Sequence, residues 1–128
     1  MKMTYRLEDI ITLYPQLYSQ KRLDAWQGLF DDRAMIIRVV KGSPVSILNI
    51  REAMPEQWAY VSENKIINEV WDRIEIQKFG NIAVIKAAYS LTADHEVRNG
   101  TDVLTLVCQD DGWRIVNLVY EQIQYIPE

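Results

Sequence analysis

Cysteine is nearly absent. Cys108 is the only one among 128 residues, so no internal disulfide is available, which fits a reducing compartment. Because Cys108 sits in an apolar run, it reads as a small buried hydrophobe rather than a nucleophile. Histidine is as scarce: His95 alone, in a polar stretch that reads as a solvated loop. No spacing of His, Cys, Asp or Glu suggests a metal site. Glycine-rich phosphate loops and nucleophile elbows are missing too, so no cofactor is expected. No apolar run approaches the roughly 18 residues of a membrane span, and the first ten residues lack the apolar core of a signal peptide. A cytoplasmic protein is the resulting expectation. Basic charge is also short, with a net charge of -4. That excludes the basic face expected of a nucleic-acid binder and argues equally against an anionic membrane surface.

What remains is a chain 48% hydrophobic, with no repeat, linker or low-complexity tract. This length fits one domain, taken as residues 1–128. Apolar residues recur at helical spacing over residues 4–21, where Leu7, Ile10, Ile11, Tyr14, Leu17 and Tyr18 share a broad face. Thr4 is the expected N-cap, and Pro15 is expected to kink or break the helix near Tyr14. A second short helix is expected over residues 23–30, and the β-branched run 34–40 reads as a strand. Asp31 and Asp32 precede that strand and read as a turn; two adjacent carboxylates do not make a metal site. Asn49, with Glu52 three residues on, forms a capping-box pattern that opens a third helix to about Glu63.

The remainder reads as β-structure. Strands are expected over 66–79, 82–93, 101–109 and 113–125, with turns at Gly80-Asn81 and Asp110-Asp111-Gly112 and a polar loop over 95–100. Long strands joined by short turns make an antiparallel meander. Helices first and strands later indicate an α+β fold. Both phases of the last strand are apolar, so the second sheet face needs a cover. A second copy of the chain is the simplest one, giving a homodimer through the convex face.

Three segments then carry a resemblance: Leu29-Phe30-Asp31-Asp32, Thr101-Asp102-Val103 and Asp111-Gly112-Trp113-Arg114-Ile115. With the order of elements, they make the chain resemble the nuclear-transport-factor-2-like superfamily, also called SnoaL-like or ketosteroid-isomerase-like. The resemblance implies a curved antiparallel sheet wrapped around N-terminal helices, cone-shaped with an internal cavity. Laid on the ketosteroid isomerases, the oxyanion-stabilising tyrosine falls on Tyr14 and the protonated second acid on Asp102. Their catalytic base falls on Arg38, which cannot abstract a proton at neutral pH. That activity is therefore not carried over. Scytalone dehydratases rely on cavity histidines, which His95 does not supply.

Strand phase and the resemblance together name the cavity candidates as Tyr14, Tyr18, Arg38, Trp58, Tyr89, Asp102 and Asn117. Trp26 and Trp71 are further candidate aromatic walls. Asp102, Leu104 and Leu106 are expected to point inward, as are Ile115, Asn117, Val119 and Glu121 on the last strand. Each candidate has a structural alternative. Tyr14 and Tyr18 could be plain core. Arg38 and Asp102 could form a buried ion pair. Asn117 could be a satisfied core amide. Two functions stay open: a cavity, catalytic or not, for a small apolar or carboxylate- or enolate-bearing ligand, or a noncatalytic homodimeric association module.

Overall fold

The computed structural model describes residues 3–127; Met1, Lys2 and Glu128 of the expected 1–128 domain lie outside the described residues. Helix α1 spans Leu7–Ser19 and α2 spans Leu23–Gln27. Strand β1 covers Phe30–Val40, β2 Ser46–Asn49 and α3 Ile50–Glu63. Four long strands follow: β3 Ile67–Phe79, β4 Ile82–Ala93, β5 Glu96–Gln109 and β6 Gly112–Pro127. They form one curved, unclosed sheet in the order β2-β1-β6-β5-β4-β3. The fold is α+β with the helices inside the curve, as expected. The meander β3–β6 is antiparallel throughout. One pair departs from the expected antiparallel sheet: β1 lies parallel to β6. Among the described residues no helix is long and apolar enough to cross a membrane.

Several local expectations are corrected. The N-cap of α1 is Arg6, not Thr4. The Asp9 carboxylate accepts from the Arg6 backbone N–H at 2.8 Å and so satisfies an otherwise orphaned donor. Pro15 lies inside α1 without ending it; the helix face that packs on the sheet outweighs one lost backbone bond. The second helix stops at Gln27, and Phe30 already belongs to β1. Asp31 and Asp32 are inside that strand, within an irregularity of the β1–β6 ladder between Phe30 and Met35. Asp31 there accepts from the Arg33 backbone N–H and pairs with its guanidinium at 3.0 Å. The capping box of α3 forms as read, with Asn49 and Glu52 exchanging hydrogen bonds at 2.9 and 3.0 Å. Pro55 is accommodated within that helix.

The expected 95–100 loop is strand. Only Asp94 and His95 separate β4 from β5, and residues 96–100 pair with β4 on one side and β6 on the other. Polar residues tolerate a strand there because neighbouring strands, rather than apolar burial, satisfy the backbone. The β5–β6 turn is locked differently. Gly112 has φ +87°, and a Cβ there would stand 2.6 Å from the Tyr5 carbonyl oxygen. That oxygen accepts from the Trp113 N–H at 2.9 Å. The N-terminal segment is thus tied to the sheet before α1 begins, and Trp113 closes the core end under the Lys78 ammonium.

Alternation divides the sheet into two faces. The inner face carries Ile85, Ala87 and Tyr89 from β4 and Gly100, Asp102, Leu104 and Leu106 from β5, all buried. Asp102, Leu104 and Leu106 point inward as read. On β6 the phase slips. The ladder shifts between Thr105↔Asn117 and Leu106↔Ile115, leaving Val116 as an extra residue. Such a bulge reverses which residues face inward. Ile115 is inward, but beyond the bulge it is Leu118 and Tyr120 that register with inward Leu104 and Asp102. Asn117, Val119 and Glu121 face out, contrary to expectation. Cys108 is half-buried and packs against the core from β5.

Candidate functional site

The cone encloses a cavity of about 320 Å³ between α1, α3 and the inner sheet face. Its walls are largely aromatic. Tyr14 stacks on Trp71 at 4.5 Å between centroids and leans on Trp26 at 5.4 Å. Tyr18 meets Trp26 edge-on at 5.4 Å. Tyr89 and Tyr120 face each other from β4 and β6 at 6.4 Å. Helical spacing explains the first wall, since Tyr14 and Tyr18 are four apart on α1.

Besides the exposed Glu56 at its mouth, two carboxyl groups reach this cavity, Glu69 from β3 and Asp102 from β5. Asp102 is 4% exposed and accepts from the Trp71 indole N–H at 2.8 Å. Burial pushes its pKa up to about 7, against the Trp71 hydrogen bond, which favours the ionised form. Burial first, and the Asp102 charge second, hold Glu69 well above the ordinary carboxylate range. Burial and mutual charge thus raise both carboxyls above their ordinary range, and as a coupled pair they hold protons to a higher pH than free carboxylates do. Burial also keeps the Tyr14 and Tyr18 hydroxyls protonated. Tyr18 donates to Gln57 Oε1 on α3 at 2.6 Å.

Two buried polar atoms in the walls have no hydrogen-bond partner among the described residues: Glu69 Oε1 and the Trp26 indole nitrogen. Buried polar atoms are seldom left so, and both belong to residues that line the cavity.

The mouth is polar. Arg98 is held by Glu96, reaches Gln122 Oε1 at 3.4 Å and lies over the rings of Tyr60 and Tyr125. Tyr60 also donates to Glu96 at 3.0 Å. Arg38 is exposed at the same rim and forms no ion pair among the described residues.

Of the seven candidates read from the sequence, Tyr14, Tyr18, Arg38, Tyr89 and Asp102 line this one cavity. Trp58 does not. It is 40% exposed on the outer side of α3, one residue past Gln57, which does line the cavity, and one residue is a rotation of about 100°. Asn117 faces the other side of the sheet because of the Val116 bulge, and its Oδ1 finds no partner. The Arg38–Asp102 ion pair does not form, since Asp102 is bound to Trp71 instead. Glu69 escaped the sequence reading, although it shares strand phase with the buried Ile67 and Trp71. Arg98 and Gln122 escaped because the 95–100 stretch read as loop and the β6 phase was inverted.

Known proteins place this architecture. No curated protein matches the sequence at a significant level. Among solved structures, a "Putative Scytalone Dehydratase" from Novosphingobium aromaticivorans is 11% identical, with a TM-score of 0.80 over 95% of this chain and 85% of that one. The Kfla4162 protein from Kribbella flavida is 14% identical, with a TM-score of 0.78 over 92% and 88%. The beta subunit of a "putative aromatic-ring-hydroxylating dioxygenase", again from Novosphingobium aromaticivorans, is 14% identical, with a TM-score of 0.71 over 92% and 88%. At such identities the likeness is one of fold. The sequence itself matches the family described as "Putative lumazine-binding" over residues 5–121. With that match across nearly the whole chain, the protein belongs to this family, which is of the nuclear-transport-factor-2-like fold.

Proposed function

We propose that the chain binds a small, planar, mostly apolar molecule in the cone and transfers a proton on it between Asp102 and Glu69. One observation carries the reading: the buried Asp102 and half-buried Glu69 carboxyls, both raised by burial, face the same aromatic-walled cavity, and Glu69 leaves an oxygen unpartnered among the described residues. A coupled carboxyl pair that shares a proton at raised pH can act as acid and base by turns. The ionised Asp102 takes a proton from carbon next to a carbonyl. Neutral Glu69 gives its proton to the carbonyl oxygen, and the product is the enol. The reverse transfers return both protons. With a hydroxyl as leaving group, the same pair would remove water. Aromatic walls favour a flat ligand by stacking, which accords with the lumazine-type heteroaromatics in the family's description and with the dehydratase among the structural relatives.

The test uses two probes. Lumazine and 2-tetralone, an enolisable aromatic ketone, are expected to quench fluorescence from Trp26 and Trp71, which border the site. The wild-type chain is expected to exchange the α-protons of 2-tetralone for deuterium, read by proton NMR. Asp102→Asn should slow that exchange by at least about a hundredfold, the usual contribution of a general base. Exchange equally fast in wild type and variant would remove the proton-transfer role; quenching by neither probe would remove the cavity reading altogether.

The outer sheet face supports a second element, a homodimer. The helices pack inside the curve, against β1 and β3. The opposite face of the central strands presents Met35, Ile37, Val103 and Val119, all half-buried and in register. A two-fold axis through that face would cover it with its own copy. Sedimentation is expected to show a dimer. Val119→Glu, which sets like charges against each other, should weaken it about a hundredfold through an unpaired charge at the interface. A wild-type monomer at micromolar concentration contradicts this.

A further inference from the structure

The rim of the cavity carries a cation that the proton-transfer pair does not use. Arg38 of β1, Tyr120 of β6 and Asp102 of β5 are successive register partners across the sheet. All three line the cavity. Two strand spacings of about 4.8 Å put the Arg38 and Asp102 backbones about 10 Å apart. Tyr120 forms the floor between them, and Arg38 opposes the effect of burial on its hydroxyl.

Its neighbours are already engaged. Arg98 is neutralised by Glu96 and held between two tyrosine rings. Glu56 also borders the mouth, exposed on α3, yet makes no ion pair with Arg38. Arg38 is thus a guanidinium at the mouth with all its donors free of carboxylate. It stands in line with the acid that reaches deepest.

Building on the proton-transfer reading of the cavity, we propose that Arg38 determines specificity by selecting ligands that carry a carboxylate. The aromatic body lies over Tyr120 toward Asp102, and the carboxylate stays at the mouth on the guanidinium. A planar carboxylate matches the two-pronged donor geometry of arginine. Glu56 at the same rim, unpaired among the described residues, disfavours a dianion such as a phosphate monoester and leaves room for one negative charge. The ligand is then an aromatic monocarboxylate that enters ring first.

A matched pair of probes tests this, 2-naphthoate and 2-naphthamide, which differ in charge but hardly in shape. Tryptophan quenching gives each affinity. The wild-type chain is expected to prefer 2-naphthoate about tenfold, the effect of one charge-assisted hydrogen bond at a wet mouth. That preference should shrink as salt rises. In Arg38→Gln the ratio of the two affinities should fall to about one, and Arg38→Lys should restore part of it as a point charge. Equal affinity for both probes in the wild type, or a ratio unchanged by Arg38→Gln, overturns the proposal while leaving the cavity reading standing. Quenching by neither probe overturns both.

Discussion

Asp102→Asn is expected to raise thermal stability at pH 8.5 and to raise it far less at pH 5. The reason lies in the sign of the shift. The folded chain holds Asp102 at about 7, whereas an unfolded aspartate titrates near 3.9. Between these values the folded state binds more protons than the unfolded one. Stability therefore falls as pH rises through that window. Below it both states are protonated and nothing is lost. Above it the wild-type chain carries the full cost of an ionised carboxylate among aromatic rings, a few kcal/mol at roughly 1.4 kcal/mol per unit.

Asparagine keeps an oxygen to accept from Trp71 but has no charge to bury. At about 3–5 °C per kcal/mol for a chain of this size, the variant should melt on the order of 10–20 °C higher at pH 8.5. Glu69→Gln should shift stability in the same direction, because burial and the Asp102 charge also hold Glu69 above its ordinary range. Melting curves by circular dichroism across pH 4–9 decide it. A wild-type curve flat between pH 5 and 8 would show that Asp102 is not held up by burial. A chain that gains stability by losing a buried charge while losing proton transfer shows the usual trade between a site and its scaffold.

The fold was legible in the sequence where local chemistry was unambiguous. The capping box at Asn49 and Glu52, the Asp110-Asp111-Gly112 turn and the alternation of β4 each have one physical reading, and each formed. Five of the seven candidates line the cavity: the resemblance supplied Tyr14 and Asp102, helix spacing put Tyr18 on the face of Tyr14, and Tyr89 was read as an aromatic wall. The resemblance put Arg38 beside them. The misreading of β6 has one cause. In Arg114-Ile115-Val116-Asn117-Leu118-Val119-Tyr120 both phases are apolar, so nothing in the pattern reveals that Val116 bulges out and inverts the rest. Asn117 was misplaced by that single residue. Glu69 was visible in phase, between Ile67 and Trp71, but a lone glutamate in a strand reads as a solvated face. Only the packing of α1 over β3 buries it.

Gly100→Ala is expected to be among the most damaging single-methyl changes in the chain. Its ladder partner is Gln122, at a second irregularity of the β5–β6 pair. A Cβ at this position would stand 1.8 Å from the Glu121 carbonyl oxygen and 2.7 and 2.8 Å from Cε2 and the hydroxyl oxygen of Tyr89. The Tyr89 ring could swing away into the cavity. The Glu121 oxygen cannot, because it belongs to the backbone of the adjoining strand. Relief would require opening the β5–β6 ladder at this irregularity, which places the cost at or above about 3 kcal/mol, the upper end for overpacking. Thr101→Ala next to it, on the outer face, should stay within about 0.5 kcal/mol. Urea unfolding measures both. The double variant Gly100→Ala with Tyr89→Ala separates the two clashes. It removes the ring but not the Glu121 oxygen, so it should remain as unstable as the single change. Recovery in the double variant would mean that the glycine serves the Tyr89 ring, and through it the cavity wall, rather than the close approach of β5 to β6.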